Sequence, residues 1–96
     1  MNIPYRIKLS KGYKKDIKRL RKSRVDLSPL EGVVDQLARH EALSVECRDH
    51  ELRGPLKGTR ECHIKSDWLL RYTKNKSYLL LLLISTGDHR RVLGIE

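Results

Sequence analysis

The run Leu79-Leu80-Leu81-Leu82-Leu83-Ile84 constrains this chain more than any other feature. It stands in a sequence of which 34% is charged, and a segment with no polar face has to be covered on both sides. It is far shorter than the roughly 20 residues of a membrane span. A strand over residues 78–84, at the natural centre of a sheet, is therefore expected.

The rest of the fold has to be built around that strand by one domain spanning residues 1–96, with no room for a separate cofactor domain. Tyr5, Ile7 and Leu9 alternate with Arg6 and Lys8, which is the period of a half-buried strand. Ser10 offers a helix cap, and Tyr13, Ile17 and Leu20 recur at helical spacing over residues 11–24. Lys11, Lys14, Lys15, Lys18, Arg19, Arg21 and Lys22 cover the rest of that helix, either as a solvated face or as a contact for phosphate or acidic peptide. Ser28-Pro29-Leu30-Glu31 reads as a capping box opening a second helix, which should run to about His40 with Leu30, Val33, Val34, Leu37 and Ala38 buried. His40 reads as a surface or capping residue.

Residues 42–59 form a long loop broken by Gly54-Pro55 and Gly58, and long loops in small domains are often functional. Strands over 60–65, 68–73 and 78–84 follow, the last two joined by a turn at 74–77. Residues 90–96 predict an edge strand or one loose turn. The fold class is thus α+β: an N-terminal strand, two helices, then an antiparallel C-terminal sheet.

Twenty-one Lys and Arg against twelve Asp and Glu give a net charge of +9, which attracts nucleic acid or an acidic partner protein. Cys47 and Cys62 have neither zinc-knuckle spacing nor disulfide density and read as reduced, structural thiols. The residues 1–5 lack the apolar stretch of a signal peptide, so a cytoplasmic protein is expected.

Within this cationic chain, three histidines each lie near a carboxylate: Asp49-His50, His63 with Asp67, and Asp88-His89. In a strand over 60–65, Glu61, His63 and Lys65 share one face and Arg60, Cys62 and Ile64 the other. Asp67 keeps the parity of His63. Residues four apart in a strand are about 13 Å from each other, so contact between that pair needs the chain to fold back at Ser66-Asp67.

Leu52-x-Gly54, Gly58-x-Arg60-Glu61-Cys62-His63-Ile64, Asp67-Trp68-Leu69-Leu70-x-Tyr72 and Thr86-Gly87-x-His89 together resemble the signature of RelE/ParE-superfamily bacterial toxins, in the YafQ-like branch. The resemblance spans about half the chain. It implies the RNase fold of RelE-like toxins and the toxin half of a type II toxin–antitoxin pair. It also implies a metal-independent endoribonuclease that cuts mRNA in the ribosomal A site and is silenced by a cognate antitoxin. The family's functional positions fall on His50, His63, Asp67, Trp68 and His89. Two positions depart: Ser85 stands where an arginine usually precedes Thr-Gly, and Leu93 where an aromatic usually follows the last histidine. Arg60, Arg90 or Arg91 are candidates to supply the lost charge.

The chemistry also follows from the residues. A base that takes the 2′-hydroxyl proton and an acid that protonates the leaving 5′-oxygen cleave RNA without a metal, and histidine serves both roles near neutral pH. His50 or His63, oriented by Asp67, is the expected base and His89 the expected acid, with cationic side chains stabilising the phosphate. Trp68 fits core packing and RNA stacking equally well. No cofactor is expected. A zinc site from His50, His63 and His89 is disfavoured because Cys62 faces away and no short ligand pair is present. Two rival functions remain: a ParE-like toxin that binds DNA gyrase, and a basic RNA-binding module without catalysis. The expected partners are an antitoxin that covers the basic helices or the histidine face with an acidic segment, and the ribosome with its mRNA.

Overall fold

The computed structural model of the chain describes residues 4–94. Strand β1 (Arg6–Leu9) leads into helices α1 (Lys11–Lys22) and α2 (Ser28–Ala38). Strands β2 (His50–Glu51), β3 (Arg60–Lys65), β4 (Trp68–Asn75) and β5 (Leu80–Gly87) follow, then a short helix α3 (His89–Leu93). The strands form one sheet in the order β1-β5-β4-β3-β2. β1 joins β5 in parallel and the other pairs are antiparallel, so the sheet is mixed.

The leucine-rich strand is interior but not central; β4 holds that place because β1 returns to the far side of β5. Leu79 belongs to the turn, with φ +51°, and β4 extends to Asn75, so the hairpin turn falls later than the sequence suggests. Both helices cover one sheet face. Tyr13 of α1, Leu30 and Leu37 of α2, and Cys62, Leu70, Tyr72, Leu81 and Leu83 of the sheet form one core. Burial pushes the Cys62 thiol up to about 12, so it stays protonated and inert, the structural role expected of it.

The helix ends differ from the capping-box reading. Leu27 is the N-cap of α2 and makes no side-chain cap bond, while Ser28 donates both its N–H and its hydroxyl to Asp26 Oδ1, at 3.0 and 2.7 Å. A serine held from the preceding turn cannot reach forward to cap the helix. α2 ends at Ala38, and His40 follows in the left-handed conformation (φ +64°), its ring 4.3 Å from that of Tyr5. The expected 90–96 tail is helical from His89 to Leu93; Ile95 and Glu96 lie outside the described residues.

Two bulges set which side chains reach the uncovered face. On β5, Tyr72 pairs with Leu83 and Arg71 with Ser85, so Ile84 is an extra residue. In a regular strand Leu83 and Ser85 would share a face; the bulge lets Leu83 enter the core while Ser85 turns away. The Ile84 carbonyl accepts a hydrogen bond from Ser10 Oγ at 2.7 Å, and the same hydroxyl accepts from Tyr13 N–H as the N-cap of α1. One serine therefore ties the start of α1 to the bulge. A second irregularity falls between His63 and Lys65, just before the last β3–β4 pair, Lys65 with Trp68. Among the described residues no helix is long and apolar enough to cross a membrane.

Candidate active site

The site lies on the sheet face opposite α1 and α2. Register places Glu61 opposite His50 on β2 and opposite Arg71 on β4, so these three side chains share that face. His63 follows Glu61 by two residues on the same side, with its Nε2 3.3 Å from Glu61 Oε1. From the other direction α3 packs on the ends of β4 and β5 and brings His89 down beside His63. The two rings meet edge to face with centroids 5.7 Å apart.

Each ring has its own carboxylate, but not the one expected. Asp67 reaches His89 rather than His63: its Oδ1 lies 2.5 Å from His89 Nδ1 and also accepts from the His89 backbone N–H at 3.4 Å. Those hydrogen bonds from His89 hold the Asp67 carboxyl below its ordinary value of 3.8. An ionised carboxylate accepts a hydrogen bond from Nδ1–H, which leaves Nε2 of His89 as the ring nitrogen available for chemistry. The partner of His63 is Glu61, which sequence reasoning did not select although strand parity placed the two together. The His63–Glu61 pair is the drier one, with side chains 18% and 5% exposed against 48% for His89.

The remaining sequence-adjacent carboxylates serve structure. Asp49 turns to the core side, where it binds Arg60 Nε at 3.3 Å and accepts from the Tyr72 hydroxyl. This arrangement removes Arg60 from the histidine face. His50 instead has its Nδ1 2.6 Å from the Arg48 carbonyl; a carbonyl only accepts, so Nδ1 carries the proton and Nε2 is free to act as a base. Asp88 caps α3, accepting from Arg91 N–H at 3.0 Å.

Thr86 is the anchor that places His89. It is fully buried and donates its hydroxyl to Leu69 carbonyl at 2.7 Å while accepting from Trp68 Nε1 at 3.0 Å. Its backbone N–H donates to Asp16 Oδ2 of α1 at 3.0 Å. Trp68 is thereby committed to packing against the core, one of its two expected roles. Gly87 has φ +147°, and a Cβ there would meet Arg19 Nη2 at 3.0 Å, so the turn between β5 and α3 needs glycine. Arg90 and Arg91 are exposed on α3, and Leu93 is half-buried there.

Among the described residues, one cluster has metal-ligand geometry: Glu61, His63 and His89 each offer an atom, all within 4.8 Å of one another. One carboxylate and two imidazoles suit a transition-metal ion. The set differs from the His50, His63 and His89 combination weighed from sequence.

Comparison with known proteins agrees with this geometry. The chain is 33% identical to the "mRNA interferase toxin YafQ" of Escherichia coli strain K12 over 89 residues, covering 92% of this chain and 95% of that protein. The solved E. coli DinJ–YafQ toxin–antitoxin complex superposes with a TM-score of 0.84 at 32% identity, covering 96% of this chain and 100% of that one. A metal-bound toxin from Helicobacter pylori superposes with a TM-score of 0.84 at 40% identity, covering 94% and 99%. Residues 5–94 match the family described as "Bacterial toxin of type II toxin-antitoxin system, YafQ". With sequence and fold in agreement, the chain belongs to the YafQ family of type II toxin–antitoxin toxins.

Proposed function

We propose that this chain is an mRNA interferase, an endoribonuclease in which His63 is the general base and His89 the general acid. The observation that carries this reading is the pair of imidazoles 5.7 Å apart on one sheet face, each with its own carboxylate. His63 takes the proton of the ribose 2′-hydroxyl, O2′ attacks phosphorus, the bond from phosphorus to O5′ breaks, and His89 Nε2 delivers a proton to O5′. The products are a 2′,3′-cyclic phosphate and a 5′-hydroxyl. Glu61 and Asp67 stabilise the imidazolium that each ring becomes during the cycle. His50, on the same face and exposed, contacts the RNA beyond the scissile bond.

Glu61, His63 and His89 would hold a metal ion if one were bound, and it would act there as a Lewis acid on a phosphoryl oxygen. The histidine lone pairs that ligate a cation are the ones proton transfer requires. Occupancy and cleavage by this route therefore compete.

The substrate is mRNA on the ribosome, and the partner is an antitoxin whose acidic segment covers part of this basic surface. Brief induction of the chain, followed by mapping of cellular mRNA ends, tests the reading. Cuts ending in 5′-hydroxyls, absent with His89→Ala and relieved by the co-expressed antitoxin, are expected. Products with 5′-phosphates would contradict the mechanism, and toxicity retained after alanine replacement of His50, His63 and His89 would favour the gyrase-binding alternative.

A further inference from the structure

We propose that Arg71, on β4, is the cation that grips the scissile phosphate, with the Ser85 hydroxyl beside it as a second donor. The inference rests on the mRNA-cleavage reading above. Arg71 Nε and Ser85 Oγ are buried polar side-chain atoms without a hydrogen-bond partner, and the two residues face each other across the β4–β5 ladder. Orphaned donors in a buried setting are costly and call for an acceptor. The two residues stand side by side on adjacent strands, so one ligand can satisfy both.

The spot adjoins the catalytic pair. Arg71 is the register partner of Glu61, so it is diagonal to His63, a separation of about 7–8 Å that long side chains bridge. The Ile84 bulge is what turns Ser85 to this face beside it. Three other arginines are held by carboxylates: Arg19 by Asp16, Arg39 by Asp35 and Arg60 by Asp49. Among the described residues Arg71 has no carboxylate within ion-pair distance, although it is half-buried and burial lowers its pKa. A half-buried guanidinium without a counter-ion accommodates a phosphate, and its planar fork matches two phosphoryl oxygens.

Ser85 is also the position at which the resembling family pattern carries arginine. Arg71 delivers the same group to the same place from the neighbouring strand, whereas Arg60 faces the core side and Arg90 and Arg91 lie out on α3.

The test measures cleavage of mRNA in a translation extract by the wild type and by Arg71→Met, Arg71→Lys, His89→Ala and the double variant Arg71→Met with Ser85→Arg. Arg71→Met should lower kcat by about 10²–10³ with the pH profile unchanged in shape and with no loss of Tm, since it removes an unpaired charge. Arg71→Lys should recover part of the rate, and the double variant at least tenfold. A wild type that cleaves and a His89→Ala that does not, together with Arg71→Met at the wild-type rate, would overturn the proposal while leaving the parent reading intact. A wild type that does not cleave would instead bring down the parent reading. If Arg71→Met does not fold, the Arg71 Nε–Hε NMR signal of wild-type protein titrated with a 2′-O-methyl oligoribonucleotide decides. A shift supports the contact, and an unmoved signal at saturation refutes it.

Discussion

His63 and His89 show how little of an imidazole's role is set by its own chemistry. Both have the same intrinsic basicity, yet one sits in a dry contact with Glu61 and the other in an exposed, short contact with Asp67. Replacing either histidine with alanine should lower kcat by about 10²–10⁴, the usual contribution of a positioned acid or base, as read from initial cleavage rates. Asp67→Asn should reduce kcat by less than that, because the imidazole remains and only its orientation and charge support are lost. Asp67 also links pH to stability. Its pKa in the folded state is lowered from 3.8, so the pairing stabilises the fold above the ordinary carboxylate range and the benefit disappears as pH falls through the lowered value. Thermal melts of wild type and Asp67→Asn should therefore differ at neutral pH and converge as pH falls through the lowered folded-state value, where the carboxyl becomes protonated in both states. A gap that persists in acid would assign the effect to packing instead.

At the scale of elements, the site depends on how the ends of β4, β5 and α1 are tied together. Thr86 satisfies the Leu69 carbonyl, the Trp68 indole and, through its own N–H, Asp16. Thr86→Val keeps the shape but orphans the indole and the carbonyl, and should cost about 1–3 kcal/mol in urea unfolding. Because His89 is three residues further on, cleavage should fall by more than the folded fraction does. Ser10→Ala removes both the cap of α1 and the hydrogen bond that the Ile84 carbonyl accepts, and should cost about 1–2 kcal/mol. The repeating patterns of these elements were readable from the chain: helices expected over 11–24 and from Ser28 to about His40, which end in the fold at Lys22 and Ala38, and three strands with a hairpin. The bulges were not, because an extra residue changes which face a side chain takes without changing composition or average period.

For the molecule as a whole, α1 and α2 shield one sheet face and leave the other to chemistry, within a chain of net charge +9. If that field draws in RNA as proposed, binding to a non-cleavable RNA should weaken steeply with salt, by a log–log slope of roughly −0.7 per phosphate contacted. A chelator should leave cleavage unchanged. Excess zinc should inhibit it by occupying Glu61, His63 and His89, with activity restored on chelation; activation by zinc would instead make the ion part of the reaction.

The amino-acid sequence by itself determined the α+β class, the basic field, the helix and strand periods and the family motif, since all of these follow from local pattern and residue type. Tertiary structure alone decided which carboxylate serves which histidine. Neighbours along a strand point to opposite faces, so Asp49 went to Arg60 and Tyr72 while His50 faced the other way. Asp88 was taken by the cap of α3, and Asp67 crossed to a residue 22 positions away. Pairing in the site is a matter of register, bulges and helix placement, which are settled by contacts distant in sequence.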